Sequence, residues 1–321
     1  MGIGNALVDV LTHEDEGFIE THGLAKGAMT LIDMDRAESL YAAMGTGIEV
    51  SGGSAANTMV GIASLGGKAG YIGQVSDDQL GTVFAHDMRA AGVEFRAKPA
   101  AGGPPTGRCL VVVTPDAERT LNTYLGSSEL FSADVLDPDL IASAQVIFLE
   151  GYLFDRPEAK EAYWAASRIA HDASRQVSLT LSDVFCVERH RAEWRTLIAD
   201  QIDVLFANEA EALALYEVTT FEEALAAART DVEIAVITRG AAGSVVARGA
   251  EVVEVAAHPV DVVDTTGAGD LYAAGFLYGL TRGKAMETCG RLGAIAASEV
   301  LGHMGARPET SLRALVAPAD L

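Results

Sequence analysis

Positive charge is what this chain has least of. Its 23 lysines and arginines face 45 aspartates and glutamates, a formal net charge of −22. So acidic a chain has no general affinity for nucleic-acid phosphates or anionic membranes, although a small polyanion needs only a local positive site. Aromatic residues are scarce, at 6%. The cysteines, Cys109, Cys186 and Cys289, are odd in number and far apart, which excludes a disulfide framework or zinc pattern and suits a reducing, cytoplasmic compartment. No apolar run reaches membrane-spanning length, and no leader-like segment is read before the first strand. Gly2-x-Gly4 lacks the third glycine of a dinucleotide fingerprint, because Leu7 stands there. Gly67-Lys68 and Gly283-Lys284 lack the rest of a Walker A loop, and there is no Gly-x-Ser-x-Gly or His-Glu-x-x-His. The histidines lack metal-ligand spacing; His13, His22 and His190 read as surface residues.

What the chain has is apolar substance: 49% of 321 residues, enough to bury a core without a staple. Ile3–Leu11 reads as one buried strand, and His13–Glu49 as a polar segment with a helix over Met34–Met44. Gly70–Val75 reads as a strand and Asp77–Ala91 as a helix. Alternating residues over Gly107–Thr114 and Arg119–Tyr124, joined by Pro115-Asp116-Ala117-Glu118, predict a hairpin. Strands at Gln145–Glu150, Val177–Ser182, Asp203–Ala207 and Glu233–Thr238 alternate with helices. That implies right-handed crossovers and a mainly parallel sheet. The division expected is core over residues 1–10, lid over 11–50, core over 51–93, lid hairpin over 94–125, and core with nucleotide and catalytic sites over 126–321.

The chemistry concentrates in Val262-Val263-Asp264-Thr265-Thr266-Gly267-Ala268-Gly269-Asp270. A β-branched run reads as a strand entering a small-residue turn, and an Ala- and Leu-rich helix follows. Such a turn makes an anion site, because main-chain N–H groups and the helix dipole converge there. An acid is an odd neighbour for a phosphate unless it takes a proton from whatever attacks it; otherwise Asp270 is a cap acid. Gly52-Gly53-Ser54-Ala55-Ala56-Asn57 opens another helix. Asn208-x-x-Glu211 lies at a strand end, as either a cap or a water-mediated Mg²⁺ site. Thr238-Arg239-Gly240-Ala241-Ala242-Gly243 reads as a nucleotide loop or a hairpin turn. Arg119 is a lid cation or a surface arginine.

Together these four motifs, taken in chain order from Gly52 to Asp270, resemble the ribokinase, or PfkB carbohydrate kinase, family from end to end. Gly4-Asn5-Ala6-Leu7-Val8-Asp9 and Glu118-Arg119-Thr120 look most like its adenosine-kinase branch. The resemblance implies a three-layer α/β/α sandwich with a small β lid. It implies an ATP-dependent kinase for the hydroxymethyl group of a nucleoside, with a ribokinase- or fructokinase-type sugar kinase, or a non-catalytic nucleotide sensor, as alternatives. By resemblance Asp270 is the base, the amides of Gly267, Ala268, Gly269 and Asp270 hold the phosphoryl oxygens, and Arg119 adds charge from the lid. Asn5, Asp9, Gly52, Gly53 and Asn57 bind the acceptor. Asn208, Thr238, Gly240, Gly243 and Thr266 serve the nucleotide. Glu211 holds Mg²⁺ through water, and Asp264, with the loop around Gly305, forms a K⁺ site. A phosphosugar acceptor would call on Lys26, Arg36, Arg96, Lys98, Arg108 or Arg119. The protein is expected to be a cytoplasmic monomer or homodimer that binds neither nucleic acid nor membrane.

Overall fold

The computed structural model describes residues 1–96, 99–100, 102–116 and 118–320; Lys98 and Ala117 of the expected hairpin turn lie outside them. The strands are β1 Gly2–Ile3, β2 Leu7–His13, β3 Met29–Leu31, β4 Ile48–Gly52, β5 Ala69–Ile72, β6 Val93–Phe95, β7 Thr106–Val113, β8 Arg119–Gly126, β9 Val146–Glu150, β10 Gln176–Thr180, β11 Val204–Asn208, β12 Ile234–Thr238, β13 Ser244–Arg248 and β14 Glu251–Val255. They form two sheets.

The larger runs β14-β13-β12-β11-β10-β9-β1-β5-β6. It is parallel from β6 to β12 and antiparallel at β13 and β14. Both its faces are covered, so its strands are apolar throughout and successive side chains feed opposite layers. Ile147 and Leu149 of β9, Leu205 of β11 and Ile237 of β12 pack with Trp194 and the helices Pro157–Asp172, Val184–Gln201 and Phe221–Asp231. Phe148, Val204, Phe206 and Val236 face the helices Ser54–Ser64, Gln79–Ala90, Ala268–Leu280 and Met286–Leu301. The result is the three-layer sandwich of a ribokinase-like α/β fold. Phe206 meets Phe276 edge-on, with centroids 5.4 Å apart, fixing helix Ala268–Leu280 to the sheet by about 1 kcal/mol beyond area burial.

The chain leaves β1 toward β5 on one side and resumes at β9 on the other, so the order reverses there. Open α/β sheets hold ligands at the carboxyl ends of strands beside such a reversal.

The smaller sheet runs β3-β8-β7-β2-β4. Helix Met34–Ala43 covers its outer face, where Val10, Leu40 and Leu110 cluster. Its inner face looks toward the strand ends of the large sheet.

Two expectations fail. Ile3–Leu11 is two strands in two sheets, because side-chain acceptors pull the backbone out between them. Asn5 N–H donates to Glu150 (3.2 Å) and Ala6 N–H to Ser128 Oγ (3.2 Å). Val262 and Val263 are not a strand: they are 61% and 50% exposed. The N–H groups of Val263 and Asp264 turn to the carbonyl of Leu301, at 2.8 and 3.4 Å, where a helix end has carbonyls without intrahelical partners.

Candidate active site

A cavity of about 650 Å³ runs along the carboxyl ends of β9 to β12, between them and the inner face of the small sheet. Asp270 stands in its wall, in the first turn of helix Ala268–Leu280. That helix lies close to helix Ser54–Ser64 because Gly61 has no side chain. A Cβ there would come within 2.7 Å of both Ala274 and Leu271. The close approach brings Ser54 and Asn57, three apart on one helical face, onto the acid. Ser54 Oγ donates to Asp270 Oδ1 at 2.6 Å and Asn57 Nδ2 to Oδ2 at 3.0 Å. Burial raises the Asp270 pKa to about 6, against the pull of these two donors. Among the described residues, the N–H groups of Gly267, Gly269 and Asp270 take no hydrogen bond. Ala268 departs from the expected set, since its N–H turns back to Thr265 O at 3.3 Å.

Asp264, six residues earlier, is a different kind of acid. Its Oδ1 accepts from Thr266 N (2.9 Å) and Thr266 Oγ1 (2.7 Å), and its Oδ2 from Gly305 N (2.9 Å) and Arg119 Nη1 (2.7 Å). Burial pushes its pKa upward, but these donors outweigh it and hold the acid below the usual range. The set does not fit the K⁺ role implied by the resemblance, because a guanidinium already supplies the positive charge and both oxygens are engaged. Arg119 is correspondingly no surface arginine: its side chain is 6% exposed, and Nε is buried without a partner.

The acceptor end gathers Asn5, Asp9, Gly53 and Asn57 on the cavity wall. Asp9 lies on Gly52 so closely that a Cβ there would fall 2.6 Å from its carboxyl atoms. Burial raises the Asp9 pKa to about 6, while Arg119 and Arg307 draw it down. Asn5 is turned inward, its Nδ2 donating to Glu150 at 2.8 Å. On the same inner face of the small sheet as Asp9 stand Leu7, Met29, Leu31, Cys109, Leu121 and Leu125. The other cations expected of the lid are off the cavity wall: Lys26 pairs with Glu16 and Asp116, Arg36 with His22 O, Arg96 with Glu94, and Arg108 lies over Tyr41.

At the far end, Asn208, Glu211, Thr238 and Thr266 line the cavity. Thr266 Oγ1 is committed to Asp264. Gly240 and Gly243 shape the β12–β13 hairpin rather than the cavity wall. Arg239 pairs with Glu209 at 3.0 Å and stacks 4.0 Å over Phe221. Asn208 and Glu211 form a reciprocal capping box: Asn208 Nδ2 donates to Glu211 Oε1 at 2.7 Å and Asn208 N to Oε2 at 2.9 Å. Capping does not exhaust the carboxylate, which among the described residues accepts these two bonds and lines the cavity with a pKa raised by burial to about 7. An acid of this kind, with Asp183 nearby, fits Mg²⁺ held through its own water shell. Among the described residues no group of three or more acids, histidines or cysteines forms a direct ligand cage.

Four site residues escaped the sequence. Ser54 lay inside a quoted motif but had no assigned role. Glu150, 1% exposed, ends an otherwise apolar strand and accepts from Asn5 and from Ala55 N (2.8 Å); a lone acid closing an apolar run was its signal. Arg307 reaches Asn57 and Ser51 from the loop after Leu301, with no sequence signal at all. His190 is no surface residue but lines the cavity at a helix kink, bonded to Asp155 at 2.8 Å.

Comparison with known proteins points to one family. The chain is 51% identical to an adenosine kinase from Sinorhizobium meliloti, with TM-score 0.90 over 98% of this chain and 96% of that one. It is 48% identical to a probable sugar kinase from Rhizobium etli CFN 42, with TM-score 0.91 over the same shares. A 5-dehydro-2-deoxygluconokinase from Listeria monocytogenes is 29% identical, over 84% of this chain and 87% of that protein. The pfkB family carbohydrate kinase profile matches residues 24–312. This chain therefore belongs to the pfkB family of carbohydrate kinases and is a phosphotransferase acting on an alcohol group of a sugar or nucleoside.

Proposed function

We propose that the acceptor is a nucleoside of the adenosine type, phosphorylated by ATP at its hydroxymethyl group. The observation that carries this reading is the make-up of the acceptor end, where a carboxylate suited to ribose hydroxyls, Asp9, stands within a roof of six largely apolar side chains on the inner face of the small sheet. A flat heteroaromatic base gains by burying its faces against such a roof, whereas a free sugar would leave it unfilled. None of Lys26, Arg36, Arg96 and Arg108 lines the cavity, so a phosphosugar would find none of these cations beside it.

Asp270 takes the hydroxyl proton as the acceptor oxygen attacks the terminal phosphorus of ATP. The O–P bond to ADP breaks, and the product is a phosphate monoester. The N–H groups of Gly267, Gly269 and Asp270 receive the transferring oxygens, and preorganised donors of this kind contribute about 3 kcal/mol each. Mg²⁺, held through water beside Glu211 and Asn208, would neutralise phosphate charge. Arg119 supports the turn through Asp264, and its Nε is buried without a partner. The small sheet acts as the lid, excluding water from the phosphoryl group. The free amides beside a buried acid favour turnover over a nucleotide sensor.

The test is a coupled ADP-release assay with adenosine, inosine, ribose, fructose and 5-dehydro-2-deoxygluconate. Adenosine should give the highest kcat/KM. A sugar or the gluconate ahead of both nucleosides would overturn the acceptor assignment.

A further inference from the structure

Asn57 has two ends, and in this structure something chooses which faces the catalytic acid. An amide that presents its oxygen to a carboxylate sets acceptor against acceptor. One that presents its NH₂ donates a hydrogen bond, and the two orientations differ only by rotation of the amide group. Arg307 removes the ambiguity. Its guanidinium has donors and no acceptor, and Nε points at Asn57 Oδ1, 3.2 Å away. Nη1 donates to Ser51 Oγ at 2.7 Å, and Nη2 lies 3.6 Å from Met88 Sδ. With Oδ1 committed to Arg307, Nδ2 is left for Asp270, where it donates at 3.0 Å.

We infer that Arg307 is a positioning residue: through Asn57 it fixes the direction of the hydrogen bond received by Asp270, and thereby the ionised state and aim of the base. The inference rests on the reading of Asp270 as that base. The charged and titratable groups around this line are few. Asp9 of β2, Glu150 at the end of β9 and Tyr152 just beyond it interact with Asp270. Asp9, Asp87 of helix Gln79–Ala90 and Tyr71 of β5 face Arg307. The acids near Asp270 raise its affinity for a proton, and the Asn57 donor opposes them. A flipped amide would add to the repulsion instead.

The experiment compares Arg307→Ala, Arg307→Gln, Asn57→Leu, the double variant Asn57→Leu/Arg307→Ala and Asp270→Asn. It uses the acceptor that is turned over fastest in the panel above, adenosine in the proposed reading. Arg307→Ala should lower kcat about tenfold at pH 7 and move the acid limb of kcat toward higher pH by about half a unit or more. Nucleotide KM should stay within about twofold, because Arg307 is not on the nucleotide wall. The double variant should lose little more than Asn57→Leu alone, since two residues acting in series are not additive. Arg307→Gln, which also donates to an amide oxygen, should recover part of the loss and of the pH shift. Losses that multiply in the double variant, or an unmoved acid limb, would overturn the relay. If Arg307→Ala does not fold, Arg307→Met, which keeps the bulk but donates nothing, decides: a normal limb with full turnover beside an impaired Asn57→Leu sinks the inference. Near-wild-type turnover of Asp270→Asn would instead remove the base assignment itself.

Discussion

Asp264 and Asp270 stand six residues apart, at the two ends of one turn, and are opposites. Asp264 takes four donors, one of them a guanidinium, and is held below the ordinary carboxylate range. Asp270 takes two neutral donors, is raised by burial to about 6, and opens on the cavity. The contrast separates a structural acid from a reactive one by surroundings alone. The first is saturated and ties three segments together. The second is under-satisfied and therefore inclined to accept a proton.

Asp270→Asn tests the contrast most severely. Turnover should fall by about 10²–10⁴-fold with ATP affinity retained, as measured by steady-state kinetics and calorimetric titration. Near-normal rates would make both acids structural. The same variant should be more stable than the parent at pH 8 by roughly 1–2 kcal/mol, after allowance for its partial exposure. A raised carboxylate keeps the proton in the folded chain that the unfolded chain has released. Its contribution to stability therefore falls as pH rises from about 4 to about 6 and is flat beyond. The gap between variant and parent should accordingly close as pH drops through about 6, and activity that needs the ionised base should be lost over the same limb.

Asp264→Asn should do the reverse. Removing one partner of a buried ion pair costs about 3–5 kcal/mol, visible as a lower denaturant midpoint, while the pH limb set by Asp270 stays in place. Gly61→Ala, with its Cβ forced against Ala274 and Leu271, should cost about 1–3 kcal/mol and lower turnover by moving Ser54 and Asn57 relative to the base. The smallest effect is expected from Glu211→Gln, a few-fold rise in the Mg²⁺ needed for half-maximal rate. An unchanged magnesium titration would leave this acid as a cap only.

Much of the sheet was legible because parallel strands buried on both faces leave unbroken apolar runs. β9 to β12 are such runs, and each structural span begins or ends within two residues of its sequence reading. The turn and its acid were legible because small residues before a buried helix are rarely neutral punctuation. What could not be read was local competition for backbone groups. Residues 4–6 and Val262–Val263 look like strand, but Glu150, Ser128 and the carbonyl of Leu301 take their N–H groups from a distance in sequence. Arg307 was invisible for the same reason, since its partners lie some 250 positions away.

The break between β1 and β2 carries a consequence for movement. The chain crosses between the sheets after β1, β4, β6 and β8, and two of these crossings, residues 4–6 and Gly53, run beside the acceptor end of the cavity. A hinge placed there swings least where the acceptor is gripped and most at the far rim over the nucleotide.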